Sequence, residues 1–118
     1  MRSALIALVV LGSCIAACGD TRSCQNACRR AFREEQCNFQ VPGSEPNKLV
    51  QRCITECEAA LKVNGDLNGY DPDIYESVDR TQRFELENEA QAAAWMDCVI
   101  ETNCEDINDG FCPGGGIN

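Results

Sequence analysis

The sequence predicts an all-α domain: a disulfide-stapled bundle of about three helices behind a signal peptide. Three observations lead there. Of ten cysteines, eight lie beyond the apolar N-terminus, a density typical of small domains held by disulfides. Four of the eight form two CxxxC pairs, Cys24/Cys28 and Cys53/Cys57, and residues four apart share one face of a helix. Strand-type alternation is nearly absent, whereas apolar residues recur at helical spacing in three segments.

The N-terminus comes first in order. Met1-Arg2-Ser3 is a short basic tip, residues 4–11 carry no polar side chain, and small residues follow up to Cys18. That order is a secretory signal peptide. The apolar run falls well short of the ~18–20 residues a spanning helix needs. Ile15-Ala16-Ala17-Cys18 resembles the bacterial lipobox, whose cysteine thiol receives a diacylglyceryl group before cleavage. Leu11-Gly12-Ser13-Cys14 is a rival match. Cleavage before Cys18 leaves eight cysteines beyond the anchor, an even set; cleavage before Cys14 leaves nine, with one spare thiol in an oxidising space. Lipidation is therefore assigned to Cys18. Two or more acyl chains anchor stably where one does not. By the same resemblance, an aspartate directly after the lipidated cysteine favours inner-membrane retention. Gly19 stands there, with Asp20 one place later, so outer-membrane delivery is expected. The divisions expected are 1–17 signal peptide, 18–20 lipidated N-terminus, 21–112 disulfide-rich helical domain and 113–118 disordered tail.

Composition narrows the function. About 100 residues remain after the signal, enough for one small domain with a modest core. Loss of Arg2 leaves nine basic residues against 19 acidic ones, a charge of −10. That balance argues against nucleic acid and anionic lipid surfaces, which select basic patches. The chain has no histidine, so it lacks the commonest general base, metal ligand and activator of a nucleophile. Its acids are scattered along polar faces and no pair stands out for carboxylate catalysis. No enzymatic activity and no cofactor are expected.

The first helix is expected over 21–37, with Asp20 or Thr21 as cap and Cys24, Ala27, Cys28, Ala31 and Phe32 on its apolar face. Val41-Pro42-Gly43 breaks the pattern. The second helix is expected over 46–63, capped by Ser44, with Leu49, Cys53, Cys57, Ala60 and Leu61 as its stripe and Gly65 past its end. Residues 64–73 read as a loop, Asp71-Pro72 as the start of a short helical turn, and 81–102 as the third helix. Pro113-Gly114-Gly115-Gly116 offers no reason to order.

The cysteine spacing then selects bridges. Within a CxxxC pair the axial rise is about 6 Å, against roughly 4 Å between bonded Cβ atoms, so each cysteine needs a partner on another helix. A short breaker makes the first two helices antiparallel neighbours, and facing positions then have a constant index sum. Cys24 with Cys57 and Cys28 with Cys53 meet that condition together; the crossed alternative requires parallel helices. This layout resembles the CxxxC…CxxxC hairpins of small Tim chaperones and plant α-hairpinins. The likeness covers only Cys24 to Cys57, with a spacer longer than in most such proteins, and implies geometry without an activity. The whole layout also resembles the small cysteine-rich lipoproteins of myxobacteria-like genomes. Cys37 lies nine residues after Cys28 and, if the helix continues, points about 180° away. It should face the third helix or the tail. Two pairings stay open: Cys37–Cys98 with Cys104–Cys112, or Cys37–Cys104 with Cys98–Cys112. Four bridges at about 2–4 kcal/mol each would outweigh a small core. CxxxC is neither the CxxC knuckle of structural zinc nor the CxxC of thiol oxidoreductases.

Two further segments invite a functional reading. Asn64-Gly65-Asp66-Leu67-Asn68-Gly69 resembles the front half of an EF-hand loop. The resemblance implies Asn64, Asp66, Asn68 and Glu76 as calcium ligands, with the Tyr70 carbonyl. The back half departs from the motif, with Asp71 where an aliphatic residue belongs and Tyr75 at the bidentate position; a hydrophilic turn is the ordinary reading. Trp95, Met96 and Phe84 suit a helix core better than a binding surface, and Tyr70 and Tyr75, flanked by acids, are the expected contact patch. The leading expectation is a non-catalytic, lipid-anchored cell-envelope protein, held to its membrane and meeting an unknown protein or ligand partner. A calcium-binding module through the 64–76 loop, a secreted enzyme or enzyme inhibitor, and a soluble secreted effector are the alternatives.

Overall fold

The computed structural model describes residues 22–72 and 84–117. The segment expected to be a signal peptide, Cys14, Cys18 and the turn expected after Pro72 lie outside them. The described residues contain four helices: α1 (Cys24–Phe32), α2 (Pro46–Leu61), α3 (Glu89–Glu101) and α4 (Cys104–Asn108). Among them there is no strand, only an isolated bridge between Gly114 and Ile117. The fold is all-α and rich in disulfides.

The α1 helix begins at Ser23, whose hydroxyl accepts the Asn26 N–H at 3.0 Å. It ends at Phe32 and does not reach Cys37. Arg33 is extended (φ −70°, ψ 143°), and the chain turns back on itself. The Cys37 N–H bonds the Arg30 carbonyl at 2.9 Å and the Phe39 N–H bonds that of Ala31 at 2.7 Å. Asn38 takes the left-handed φ of 52° that this reversal needs. Phe39 then meets Phe32 edge-on, with ring centroids 5.8 Å apart.

Pro46 opens α2, where its missing N–H costs nothing. Glu45, rather than Ser44, occupies the cap position, and its side chain makes no capping bond. Leu49, Val50, Cys53, Cys57 and Ala60 are buried, the spacing of one helical face.

The α3 helix starts at Glu89, later than its composition suggests. Residues 84–88 are not helical, because tertiary contacts override their propensity. Asn88 caps the helix, its Oδ1 accepting from the Ala90 and Gln91 N–H groups at 3.0 and 3.1 Å. The preceding N–H groups have other partners: Glu87 donates to Gln91 Oε1 at 2.9 Å and Leu86 to Glu56 Oε2 at 3.1 Å. The short α4, capped by Asn103 onto the Asp106 N–H at 2.9 Å, was not expected.

The tail corrects the expectation of disorder over 113–118; Asn118 alone lies outside the described residues. Residues 113–115 and 117 are buried, Ile117 completely. The glycines are what let this segment pack. Gly115 has φ +61°, and a Cβ there would stand 2.5 Å from Trp95 Cζ2. Backbone laid directly on the indole needs a residue without a side chain. Trp95 Nε1 donates to the Cys112 carbonyl at 3.0 Å, and the Gly115 N–H donates to Glu56 Oε2 at 2.8 Å.

Candidate functional site

All eight cysteines in the described residues are paired. Cys24–Cys57 and Cys28–Cys53 bridge α1 and α2, each with a Cα–Cα distance of 5.7 Å. The equal spans follow from the antiparallel register, in which one CxxxC ladder faces the other. Of the two pairings left open for the remaining four, the structure has Cys37–Cys104 with Cys98–Cys112. Cys37 is presented by the turn after α1, not by a continued helix. Asn108 reinforces that junction, its Nδ2 donating to the Cys37 carbonyl at 3.0 Å.

The two hairpin bridges set α1 and α2 antiparallel. Arg30 of α1 reaches the C-terminal end of α3, donating to the carbonyls of Val99 (2.8 Å) and Thr102 (2.6 Å). A guanidinium is well suited to these carbonyls, since the end of a helix carries partial negative charge. Thus α1 and α3 run the same way and α2 runs against them. The start of α1, the end of α2 and the start of α3 gather at one pole of the molecule. Arg22, the first described residue, pairs with Asp97 in the C-terminal half of α3 at 3.1 Å. Both side chains are about half exposed (50% and 51%), so the pair contributes little to stability.

The 64–71 loop closes this pole, and its backbone is committed to α3. The Glu89 N–H bonds the Val63 carbonyl at 2.8 Å. Asn88 Nδ2 donates to the Asp66 carbonyl at 2.9 Å and Gln91 Nε2 to that of Leu67 at 3.1 Å. Gly65 is required by the close approach of Asn88, whose Nδ2 would lie 2.7 Å from a Cβ at that position. Of the residues implied for calcium, Asn64, Asp66 and Asn68 are exposed and Glu76 lies outside the described residues. No group of three or more His, Cys, Asp or Glu side chains among the described residues is arranged to hold a metal.

The core placement expected for Trp95 and Met96 is found, whereas Tyr70 departs from expectation. Tyr70, expected at a contact patch, is only 7% exposed. Its hydroxyl donates to the Pro113 carbonyl at 2.7 Å and its ring stacks on Phe84 at 4.5 Å. The acids beside it in sequence say nothing about the tail that covers it. Tyr75 lies outside the described residues.

A cleft lined by Leu49, Arg52, Glu56, Phe84, Glu85, Gly115 and Gly116 holds charged groups of both signs. Glu56 already accepts two backbone N–H groups, from Leu86 and Gly115. Its role is to pin the tail and the approach to α3 onto α2. Sequence reasoning missed Glu56, Arg30 and Gln91, because their partners lie 30 to 72 positions away or sit in irregular backbone. Asn88 was detectable: an asparagine directly before Glu89-Ala90-Gln91 is a helix-start pattern. No family model, curated protein or solved structure matches the chain.

Proposed function

We propose that this chain is a non-catalytic, lipid-anchored protein of the bacterial cell envelope, exported by its signal peptide and acylated at Cys18. It serves as an interaction or structural module. One observation carries this reading: the eight cysteines after Cys18 are consumed in four internal bridges. The even set of eight is thus complete without Cys18, which stands where the lipobox resemblance puts the acyl group. Disulfides at this density belong to an oxidising compartment outside the cytoplasm, as export requires. The absence of histidine and the commitment of Glu56 to backbone N–H groups favour a non-catalytic role. Outer-membrane delivery follows from Gly19 and Asp20 in the same resemblance.

The test is fractionation of cells expressing the full chain, Cys18→Ala and Cys14→Ala. The full chain and Cys14→Ala should partition with the outer membrane and incorporate labelled fatty acid. Cys18→Ala should do neither. Membrane retention of Cys18→Ala with loss for Cys14→Ala would move the anchor to Cys14; label in none of the three would refute lipidation.

A further inference from the structure

Among the described residues, the large apolar side chains left exposed are Leu61 (41%), Val63 (50%) and Leu67 (43%). They stand close together in the chain, at the end of α2 and in the loop that follows. The Glu89–Val63, Asn88–Asp66 and Gln91–Leu67 hydrogen bonds hold this backbone against the start of α3. The three side chains therefore stand at a fixed pole.

That pole is also where the chain arrives from its N-terminus. Cys24 at the start of α1 is bonded to Cys57, and Leu61 lies one helical turn further along α2, about 6 Å beyond that bridge. Arg22 is four residues from Cys18, a reach of at most about 14 Å even when extended. An acyl group on Cys18 keeps this end, and not the turn at 38–45, next to the bilayer. The Cys24–Cys57 bond passes the tether directly onto α2.

We propose that Leu61, Val63 and Leu67 form a membrane-contact surface that rests in the interfacial layer of the bilayer to which the chain is anchored. The inference rests on acylation at Cys18 and adds an orientation to it: the hairpin stands on its 61–67 pole with the 38–45 turn outward. The contact is apolar rather than electrostatic. Exposed Glu58, Asp66 and Glu89 surround the patch, so anionic lipid would be repelled. Lys62, the cation between two of the apolar residues, can lay its methylene stem along the surface with its ammonium in the headgroups. Side chains at such an interface bury about 5–10 Å into the headgroup and acyl boundary.

The acylated full-length protein carrying Val63→Trp, with Leu67→Trp as a second probe, is placed in phosphatidylcholine vesicles brominated in the acyl chains. Gln40→Trp, at the opposite turn, is the control, and Trp95 is buried background. Each preparation is first weighed intact for its acyl group. The indoles introduced by Val63→Trp and Leu67→Trp should be quenched at least about twofold more than the control, as a 5–10 Å insertion requires, and Cys18→Ala should abolish the difference. Equal quenching of both probes and the control in protein that carries the acyl group would overturn the orientation while leaving the anchor standing. Protein without the acyl group would overturn both. A dimer of the Cys18→Ala protein that Val63→Asp dissociates would overturn the proposal by assigning the patch to a second copy.

Discussion

The two halves of this domain are held in different ways. The α1–α2 hairpin is built from repetition: two CxxxC pairs, two helical faces and two bridges of the same 5.7 Å span. The second half, described over residues 67–72 and 84–117, joins α3 and α4 to irregular segments through single contacts. Its tail is held by Trp95 Nε1, the Tyr70 hydroxyl, the Glu56 carboxylate and the Cys98–Cys112 bond, each used once. Periodic structure distributes its stability over equivalent positions. Aperiodic structure concentrates it in a few side chains, so substitutions should expose those individually.

The largest effects are expected at Trp95 and at the inner bridge. Trp95→Ala removes a completely buried indole and with it the surface on which the tail lies. A loss of about 3–5 kcal/mol is expected, measured by urea unfolding, together with rapid amide exchange over 112–117. If the tail kept its protection, its packing on Trp95 would not be what orders it. Replacing Cys28 and Cys53 together by alanine should cost about 2–5 kcal/mol. The helices should persist in circular dichroism, since Cys24–Cys57 still joins them.

Next comes Gly115→Ala. The positive φ and the close indole together should cost about 2–3 kcal/mol, as strain and overpacking in a filled site do. Exchange in the hairpin should be unchanged below the global limit, which separates the two halves directly. Glu56→Ala leaves the Leu86 and Gly115 N–H groups without their acceptor and should cost about 1–3 kcal/mol. Thermal unfolding reads this as a drop of several degrees. The smallest effect belongs to Asp66→Ala. Asp66 contributes its carbonyl to the Asn88 bond while its side chain is exposed, so the change should stay within about 0.5 kcal/mol. A calcium-dependent loss of stability at this position would instead revive the calcium reading of the loop.

The same contrast explains what the sequence made legible. Cys24, Cys28, Cys53 and Cys57 stand in a register that only an antiparallel pair satisfies, and the apolar stripe of α2 repeats at one period. Cys37 is harder to read, because its expected direction depends on a helix that in fact ends at Phe32. The turn that presents it depends on Asn38 in a left-handed conformation and on Phe39 folding back to Phe32. The start of α3 is obscured by a helix-favouring run. Leu86 and Glu87 give their N–H groups to Glu56 and Gln91 instead. The tail is the least legible part. Pro113 to Gly116 has the composition of a disordered end, and only the indole of Trp95 gives its glycines a reason to be there. Of the functional features, the exposed triad Leu61, Val63 and Leu67 emerges only once the loop after α2 is seen docked on α3.

Eight cysteines brace the domain, and the function proposed for the chain makes Cys18 the anchor. The most direct measurement is the intact mass of the mature protein, before and after reduction and alkylation, with a map of its bridges. Trypsin leaves Cys24 with Cys28 and Cys53 with Cys57, so the hairpin must also be cut after Glu56 and fragmented within Asn26-Ala27. The expected result is an acylated N-terminal cysteine at position 18, no alkylation before reduction, eight alkylated thiols after it, and Cys24 joined to Cys57. A thiol alkylated before reduction, a crossed Cys24–Cys53 bridge, or an unacylated N-terminus would contradict it.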